Sequence, residues 1–382
     1  MPAPSIDRNR ITALLEAMVR IESINPDLAP GGSGEGELAA WIGVQLNALG
    51  FDVTFEDAAP GRPNLIAHRP GKGQAPPLMF CGHLDTVGVT DYDGNPLDPL
   101  IREGRLYGRG SYDMKAGLAA VLGAAAAVPQ TPGDLWIGFV ADEEYASIGA
   151  DALVRSVPPM ATVLVEPTDD EACIAHKAFA WVTVTTEGRA AHGSLPAQGV
   201  DAIAHMGRLL GEMERWAGSV FEAQRDPLLG PPSAHASLID GGLGWSTYPD
   251  RCALKVEHRM LPGQTDHDAL ALWNEAIARQ SAADPRFMAR VDLDLYRPGY
   301  RIAEDAPVTQ ALQAAVAAVK GTPAPIRGIP AWMDSAVLSA SGFPTIIYGP
   351  SGAGAHAATE YVELESVFAC ASIYAALIAA WR

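Results

Sequence analysis

Short apolar runs alternate with helical patterns in the first part of the chain. The runs include LMFC (78–81), LWIGFV (135–140) and TVLV (162–165), and AGLAAVLGAAAAV (116–128) has the small, apolar residues of a tightly packed helix. Runs this short are typical of buried strands, and their alternation with helices is typical of a sheet covered by helices. The pattern predicts an α/β domain with a mixed, mostly parallel sheet flanked by helices.

The pattern changes after residue 177. From Phe179 to Tyr296 it predicts a strand, a helix, two strands, a helix and a strand, which is a βαββαβ unit of ferredoxin-like type. After residues 297–299 (RPG) the first pattern resumes, with a strand in FPTIIYG and a final helix in VELESVFACASIYAALIAAW. We therefore expect one domain from residues 1–177 and 296–382, interrupted by a second domain at 178–295.

Composition narrows the class of protein. A chain of 382 residues with 48% apolar residues can bury a core in each of two domains. Its 45 acidic and 27 basic residues give a formal charge of −18, which argues against nucleic acid or an anionic membrane as the partner. The first residues show no signal-peptide pattern, and the four cysteines form no CxxC pair, so we expect reduced thiols and a cytoplasmic location.

Candidate chemistry is concentrated after the apolar runs. Glu143 and Glu144 follow LWIGFV, and neighbouring carboxylates at a strand end point in different directions, so one can bind a metal while the other handles a proton. Strand ends are where α/β folds build their sites. Other metal-capable side chains stand after similar runs or in glycine-rich segments: His83, Asp85, Asp113, Glu166 and His356.

Electrostatics makes a metal site the natural interpretation of these residues. If Asp113, Glu144 and Glu166 lie together, they repel one another, which raises their pKa values unless cations are present. Two divalent ions would neutralise the cluster, and nitrogen and oxygen ligands without thiolate suit zinc, with cobalt or manganese as alternatives. Asp85 shares a strand face with His83, so its carboxylate could accept the imidazole N–H and fix the metal-binding tautomer.

Several segments together resemble the M20 family of metallopeptidases and deacylases, a group that includes acetylornithine deacetylase, succinyl-diaminopimelate desuccinylase, aminoacylase and glutamate carboxypeptidase. The resemblance covers nearly the whole chain and keeps the order and spacing of the family. The segments are CGHLDTV, GRLYGRGSYDMKAG, ADEEYASIGA, VEPTD, GRAAHGSLPAQGVDAI, HRMLPGQ and GPSGAGAHAATEYV.

The resemblance implies a role for each candidate in the first domain. Asp113 would bridge two metal ions, of which His83 and Glu166 complete one coordination shell. Glu144 and His356 would complete the other. Glu143 would be the general base, and Asp85 would hold the ring of His83.

The inserted domain resembles the lid and dimerisation domain of the family. The resemblance implies that His192 reaches a partner's site in a homodimer and stabilises the tetrahedral oxyanion, and that Arg259 grips a substrate carboxylate. A structural salt bridge is the alternative for Arg259. Ser246 stands where many relatives carry asparagine, so its hydrogen bond to substrate would differ. Gly354 would let the backbone approach the substrate, or it only forms a turn.

The implied activity is hydrolysis of the amide bond of a small N-acyl amino acid by metal-activated water. A dipeptidase or carboxypeptidase is the alternative with the same chemistry, because a dipeptide is also an acylated amino acid. A non-catalytic binding or scaffold protein is the alternative of a different class. A metal-free hydrolase using Ser111 or Cys81 would need a nucleophile elbow, and neither residue has the surrounding sequence.

Overall fold

The computed structural model describes residues 4–382, so the first three residues of the N-terminal segment considered above lie outside the described part. The chain forms two compact units. Unit 1 contains the chain up to Ile174 together with Ile302–Arg327 and Met333–Arg382, and unit 2 contains Ala175–Arg301 and Gly328–Trp332. Unit 1 is thus assembled from segments on both sides of unit 2 in the sequence.

Helices and strands are numbered here in chain order. The helices are α1 (Arg8–Arg20), α2 (Gly36–Ala48), α3 (Ala116–Ala127), α4 (Ile148–Ser156), α5 (Ala202–Trp216), α6 (Asp266–Ala283), α7 (Pro307–Lys320), α8 (Ser335–Ala340) and α9 (Leu364–Ala380). Short helical turns occupy Ser111–Lys115, Ala217–Phe221 and Glu222–Gln224. The strands are β1 (Asp52–Ala59), β2 (Arg62–Arg69), β3 (Leu78–His83), β4 (Leu100–Arg102), β5 (Arg105–Tyr107), β6 (Leu135–Val140), β7 (Ala161–Leu164), β8 (Ala172–His176), β9 (Ala178–Glu187), β10 (Ser233–Gly241), β11 (Arg251–Met260), β12 (Met288–Arg297), β13 (Tyr300–Arg301), β14 (Ile326–Ile329), β15 (Thr345–Ile347), β16 (Gly352–Ala353) and β17 (Tyr361–Glu363).

The large sheet of unit 1 has the strand order β1-β2-β6-β3-β7-β15-β8. Strands β6, β3, β7 and β15 are mutually parallel, whereas β1, β2 and β8 pair antiparallel with their neighbours. Helix α3 is buried along most of its length and packs on α1 and α9. The predicted mixed α/β sheet flanked by helices is confirmed.

Two features of unit 1 determine where its polar side chains meet. Parallel strands β6, β3 and β7 are adjacent, so their carboxyl ends share one edge of the sheet. A second, antiparallel sheet has the order β16-β17-β5-β4 and pairs Tyr361 with Tyr107. This small sheet holds the segment that carries His356 next to the segment that leads to Asp113.

Unit 2 is an antiparallel sheet of order β10-β11-β9-β12 with two helices, α5 and α6. The chain order βαββαβ and this strand order are those of a ferredoxin-like unit, as the sequence predicted. Val182, Val184 and Val256 of the sheet pack with Met206 of α5 and Trp273 of α6 in one buried cluster. Within the described residues, every helix is too short or too polar to cross a membrane.

Candidate metal centre

Three neighbouring strands of unit 1 deliver ionisable side chains to one edge of the sheet. His83 is the last residue of β3, Glu143 and Glu144 follow β6, and Glu166 is the second residue after β7. Parallel pairing of β3 with β6 and β7 aligns these ends. The turn Ser111–Lys115, which precedes α3, adds Asp113.

Asp113 lies at the centre of the group and faces two histidines. Its Oδ1 is 3.2 Å from Nε2 of His83, and its Oδ2 is 3.5 Å from Nε2 of His356. The same His356 nitrogen is 2.8 Å from Oε2 of Glu144, and Nε2 of His83 is 3.7 Å from Oε1 of Glu166. The Asp113 carboxylate therefore lies between two pairs of side chains. One pair is His83 with Glu166, and the other is His356 with Glu144.

The donor atoms fit divalent metal ions. Among residues 4–382, two groups of three have ligand atoms within 4.8 Å of one another, namely His83, Asp113, Glu166 and Asp113, Glu144, His356. Oε1 of Glu144 and Oε1 of Glu166 are buried and accept no hydrogen bond in the described structure. Buried oxygens without donors are costly unless a cation takes that place. The nitrogen and oxygen set matches the preference of zinc, cobalt and manganese.

The pKa values express the same crowding of negative charge. Burial, and then the charge of Asp113, raises the pKa of Glu144 to about 7 and that of Glu166 to about 8. Burial, and then Glu166, raises the pKa of Glu143 well above its ordinary value. Hydrogen bonds to Asp113 and Glu144 raise the pKa of His356 to about 10. The site is thus complementary to cations.

The Asp113 turn is held by a residue that the sequence analysis did not single out. Glu360 is buried, and its carboxylate accepts hydrogen bonds from the main-chain N–H groups of Gly110, Tyr112 and Asp113, each at 2.9 Å. Arg109 donates to it at 2.8 Å. Both charged residues lie inside segments quoted above, so a search of those segments for buried charge pairs could have found them. The peptide bond after Asp113 is cis.

Asp85 makes a different contact from the one expected. Nδ1 of His83 donates to the main-chain oxygen of Asp85 at 2.9 Å, whereas the nearest carboxylate oxygen is 3.6 Å away. The main-chain bond already fixes the tautomer that leaves Nε2 free for a metal. The carboxylate instead accepts the main-chain N–H groups of Glu143 at 3.1 Å and Glu144 at 3.2 Å.

Gly354 belongs to unit 1, two residues before His356. Its φ is +89°, and an added Cβ would lie 1.9 Å from the main-chain oxygen of Thr359. His356 itself has φ of +61°. The loop passes so close to Thr359 that position 354 requires glycine. The described contacts of Gly354 are with this same loop.

The remaining predicted site residues belong to unit 2. His192 is exposed, and its Nδ1 is 2.8 Å from Oγ of Ser194. The main-chain oxygen of Ser246 accepts the N–H of Gly193 at 2.7 Å, so this segment lies beside the His192 loop. The guanidinium of Arg259 pairs with Glu257 on the same strand face and lies 5.3 Å from the ring of Phe179.

Comparison with known proteins identifies the family. The model of peptidase family M20/M25/M40 matches residues 79–380. The chain belongs to this family. It is 29% identical over 350 residues to acetylornithine deacetylase of Myxococcus xanthus, covering 88% of this chain and 90% of that one. It is 28% identical over 363 residues to acetylornithine deacetylase of Salmonella arizonae, covering 92% of each.

Solved M20 structures share the fold. Aminopeptidase PepT from Bacillus cereus superposes with a TM-score of 0.82 at 22% identity, covering 98% of each chain. The expectation of a metal-dependent amide hydrolase is confirmed by M20 membership together with these relatives, and the scaffold alternative loses its support.

Proposed function

We propose that this M20 protein is a deacylase that hydrolyses the amide bond of an N-acyl amino acid and uses two divalent metal ions, with zinc preferred over cobalt or manganese. The observation that carries the proposal is the shared position of Asp113 between two ligand groups. His83 and Glu166 would hold one ion, and Glu144 and His356 the other. The similarity to acetylornithine deacetylases supports an acyl amino acid as the substrate.

Bound divalent ions at such a site polarise a carbonyl oxygen and favour ionisation of water. The protein's own part in the proton transfers belongs to Glu143. Its carboxylate lies in the same turn as Glu144, and burial raises its pKa well above the ordinary value, which strengthens it as a proton acceptor. Glu143 would take a proton from water and deliver it to the departing nitrogen.

Unit 2 would supply substrate binding and a contact with a second copy. In the proposal, residues 178–295 form a lid and dimerisation domain, Arg259 leaves Glu257 to bind the substrate carboxylate, and His192 stabilises the oxyanion in the partner's site. Ser246 and Gly354 would line the substrate. Strand β10 supports dimerisation, because it is an edge strand with exposed Leu238 and Ile239.

The proposal places the enzyme in the cytoplasm. All four cysteines are free thiols in the structure and are buried. Free thiols are the usual state in a reducing compartment.

A dipeptidase or carboxypeptidase is the second candidate. The fold shared with aminopeptidase PepT keeps peptide hydrolysis as an alternative. A dipeptide offers the same amide and the same free carboxylate as an N-acetyl amino acid, so the chemistry of the metal centre does not separate the two. The two activities differ in the group on the acyl side of the amide, so the pocket for that group separates them.

The test is hydrolysis by metal-stripped protein and by protein reconstituted with zinc, cobalt or manganese. The substrates are N-acetyl amino acids, N-succinyl amino acids and dipeptides. We expect cleavage only after reconstitution and fastest with an N-acyl amino acid. Preference for dipeptides would replace the deacylase with the peptidase, and cleavage by metal-free protein would contradict the metal centre.

A further inference from the structure

The carboxylate of Asp85 lies behind the turn that carries Glu143 and Glu144. Asp85 is 1% exposed, and each of its two oxygens accepts one main-chain N–H from that pair. Hydrogen bonds to main-chain groups fix the path of the turn, and with it the starting points of both side chains. The position of Asp85 therefore determines where a proton acceptor and a metal ligand are presented.

Asp142 holds the other end of the same turn. It precedes Glu143, has φ of +68°, and is 1% exposed. Its Oδ2 accepts main-chain N–H groups from Ala146 at 3.2 Å and Ile148 at 3.4 Å. Two buried carboxylates thus bracket the pair, one from the segment that follows strand β3 and one from the turn itself. Their separation sets the conformation of the turn.

A single side chain joins these two carboxylates. Asn25 is fully buried, and its Nδ2 donates to Oδ2 of Asp85 at 2.8 Å and to Oδ1 of Asp142 at 2.9 Å. Its Oδ1 accepts from the main-chain N–H groups of Asp27 at 3.0 Å and Leu28 at 3.2 Å. All the hydrogen-bonding capacity of the amide is therefore used.

The residue type matches this task. A carboxamide offers two N–H donors from one nitrogen and a carbonyl acceptor, which a hydroxyl or a carboxylate does not. The main chain of Asn25 is itself fixed, because its N–H donates to the oxygen of Thr86 at 2.9 Å. Arg62 adds a donor to Asp142 at 3.1 Å and pairs with buried Glu35. Asn25 is thus a rigid link and not a mobile surface amide.

We propose that Asn25 is a positioning residue of the metal centre: its amide ties Asp85 to Asp142 and thereby sets the turn that presents Glu143 and Glu144. The catalytic meaning of this role rests on the proposed hydrolysis, and its effect on metal binding rests on the ligand group that contains Glu144. Without the amide, each carboxylate lacks one donor and the two repel each other across the vacated space. The turn then relaxes, and both Glu143 and Glu144 move.

Three substitutions separate this role from simple packing. Asn25→Asp keeps the shape but replaces the shared donor by a third carboxylate, Asn25→Ser keeps one donor, and Asn25→Ala keeps none. The proposal predicts that activity and metal affinity fall least for Asn25→Ser, more for Asn25→Ala and most for Asn25→Asp. If Asn25 served only for packing, Asn25→Asp should lower activity and metal affinity least, because aspartate has nearly the same shape as asparagine.

Asn64→Ala is the matched control. Asn64 is also fully buried asparagine, with Nδ2 donating to the main-chain oxygen of Gly149 at 2.8 Å and Oδ1 accepting the N–H of Ala141 at 3.0 Å. These bonds join Ala141 and Gly149, the residues on either side of the 142–148 turn, and neither bond reaches Asp85, Glu143 or Glu144. The control therefore measures the loss of a buried amide in the same region of unit 1, and we expect it to lower thermal stability with kcat within about threefold of wild type.

The measurements are Zn²⁺ affinity by calorimetry on metal-stripped protein, kcat and KM on a substrate found in the panel above, and Tm. Loss of a residue that supports metal ligands typically costs roughly 10–100-fold in affinity or activity. We expect Asn25→Ala to lower kcat and the affinity for one Zn²⁺ by that range, with KM changed less than about threefold. The Asn25→Ser value should lie between those of wild type and Asn25→Ala.

The outcomes distinguish this proposal from the proposed function. If Asn25→Asp matches wild type, or if the Asn25 variants change no more than Asn64→Ala, the positioning role is wrong even though hydrolysis stands. If no substrate is cleaved but Zn²⁺ affinity follows the predicted order, the function is wrong and the positioning role stands. If Asn25→Asp does not fold, the comparison of Asn25→Ser with Asn25→Ala still tests the positioning role, because these two variants differ in the number of hydrogen-bond donors.

Discussion

Two adjacent glutamates at the end of β6 have separate surroundings. Glu144 bonds His356 at 2.8 Å and is part of a ligand group with Asp113. Glu143 belongs to neither ligand group among the described residues, and its raised pKa follows from burial and from the charge of Glu166. The proposal accordingly assigns Glu144 to a metal ion and Glu143 to proton transfer.

Substitution of each glutamate by glutamine tests this division. Glu143→Gln should lower kcat by roughly 100- to 10,000-fold, the usual contribution of a general base, with both metal ions retained. Glu144→Gln should instead lower the affinity for one ion by at least the roughly 10–100-fold that loss of a supporting residue costs, because a neutral amide replaces an anionic ligand. Kinetics and metal content by atomic absorption are measured on both proteins. Loss of metal from Glu143→Gln would show that the two roles are not separate.

Glu360 provides a stability test at a single residue. Glu360→Gln removes the anionic acceptor of the buried Arg109 and of three main-chain N–H groups. The free energy of unfolding should therefore fall by about 3–5 kcal/mol. Glu363→Gln is the control, because its pair with Arg105 is 37% exposed on both sides and should contribute about 0–1 kcal/mol. Urea unfolding measures both, and equal losses would contradict the assigned difference.

At the scale of elements, the buried strands and long helices were predictable. Strands β3, β6 and β7 are mainly apolar runs, and β11 of unit 2 alternates regularly between buried and more exposed side chains. Strand β1 was not predicted, because none of its side chains is buried and half of its residues DVTFEDAA are polar. Strands β4, β5, β16 and β17 are two or three residues long, which is too short for a periodic signal.

The candidate site was likewise predictable only in part. The candidate ligands are visible in the sequence because each follows a strand or a glycine-rich turn. The bonds from the Asp85 carboxylate to the turn were not predictable, because they join main-chain groups whose positions depend on the conformation of residues 142–148. Asn25 was missed for the same reason, since its partners lie 60 and 117 residues away.

Histidine 258 makes the unit 2 core sensitive to acid. Its Nε2 accepts the indole N–H of Trp273 at 2.8 Å, which requires the neutral ring, and burial lowers its pKa from 6.5 to about 4. Below pH 6.5 the unfolded chain binds a proton that the folded chain does not, so stability should fall from about pH 6.5 to about pH 4. The full loss is on the order of 3 kcal/mol.

His258→Gln, which keeps an acceptor for Trp273 but does not titrate, should flatten the pH dependence in that range. The measurement is Tm at several pH values between 4 and 7 for wild type and variant. His235→Gln is the control, because His235 is exposed on β10 and its loss should leave the dependence unchanged. An equally steep curve for His258→Gln would assign the acid sensitivity to other groups.

At the scale of the whole molecule, the proposed trans role of His192 depends on a second copy of the chain. Leu243 and Trp245 are exposed in the loop after β10, which adds apolar surface to an edge strand. Surface of this kind is typical of contacts between chains. The homodimer is therefore a proposal that can be tested through activity as well as through mass.

Mixing two inactive variants tests the shared site. Glu143→Ala and His192→Ala, co-expressed with different tags and isolated as the doubly tagged complex, should recover activity, because one of its two sites then contains both intact residues. The control complex joins Glu143→Ala to Glu143→Gln, in which every site is damaged. Absence of recovery in a proven mixed dimer would place His192 in its own chain's site or remove its role.

The hydrogen bonds of Glu360 also have a consequence for the time at which the protein becomes active. They join Gly110, Tyr112 and Asp113 to a residue 247 to 250 positions later in the chain. During synthesis on the ribosome, the Asp113 turn lacks these three hydrogen bonds until residue 360 has left the exit tunnel. A nascent chain therefore carries Asp113 without the bonds that hold its turn, and the proposed metal centre can form only after Glu360 has emerged.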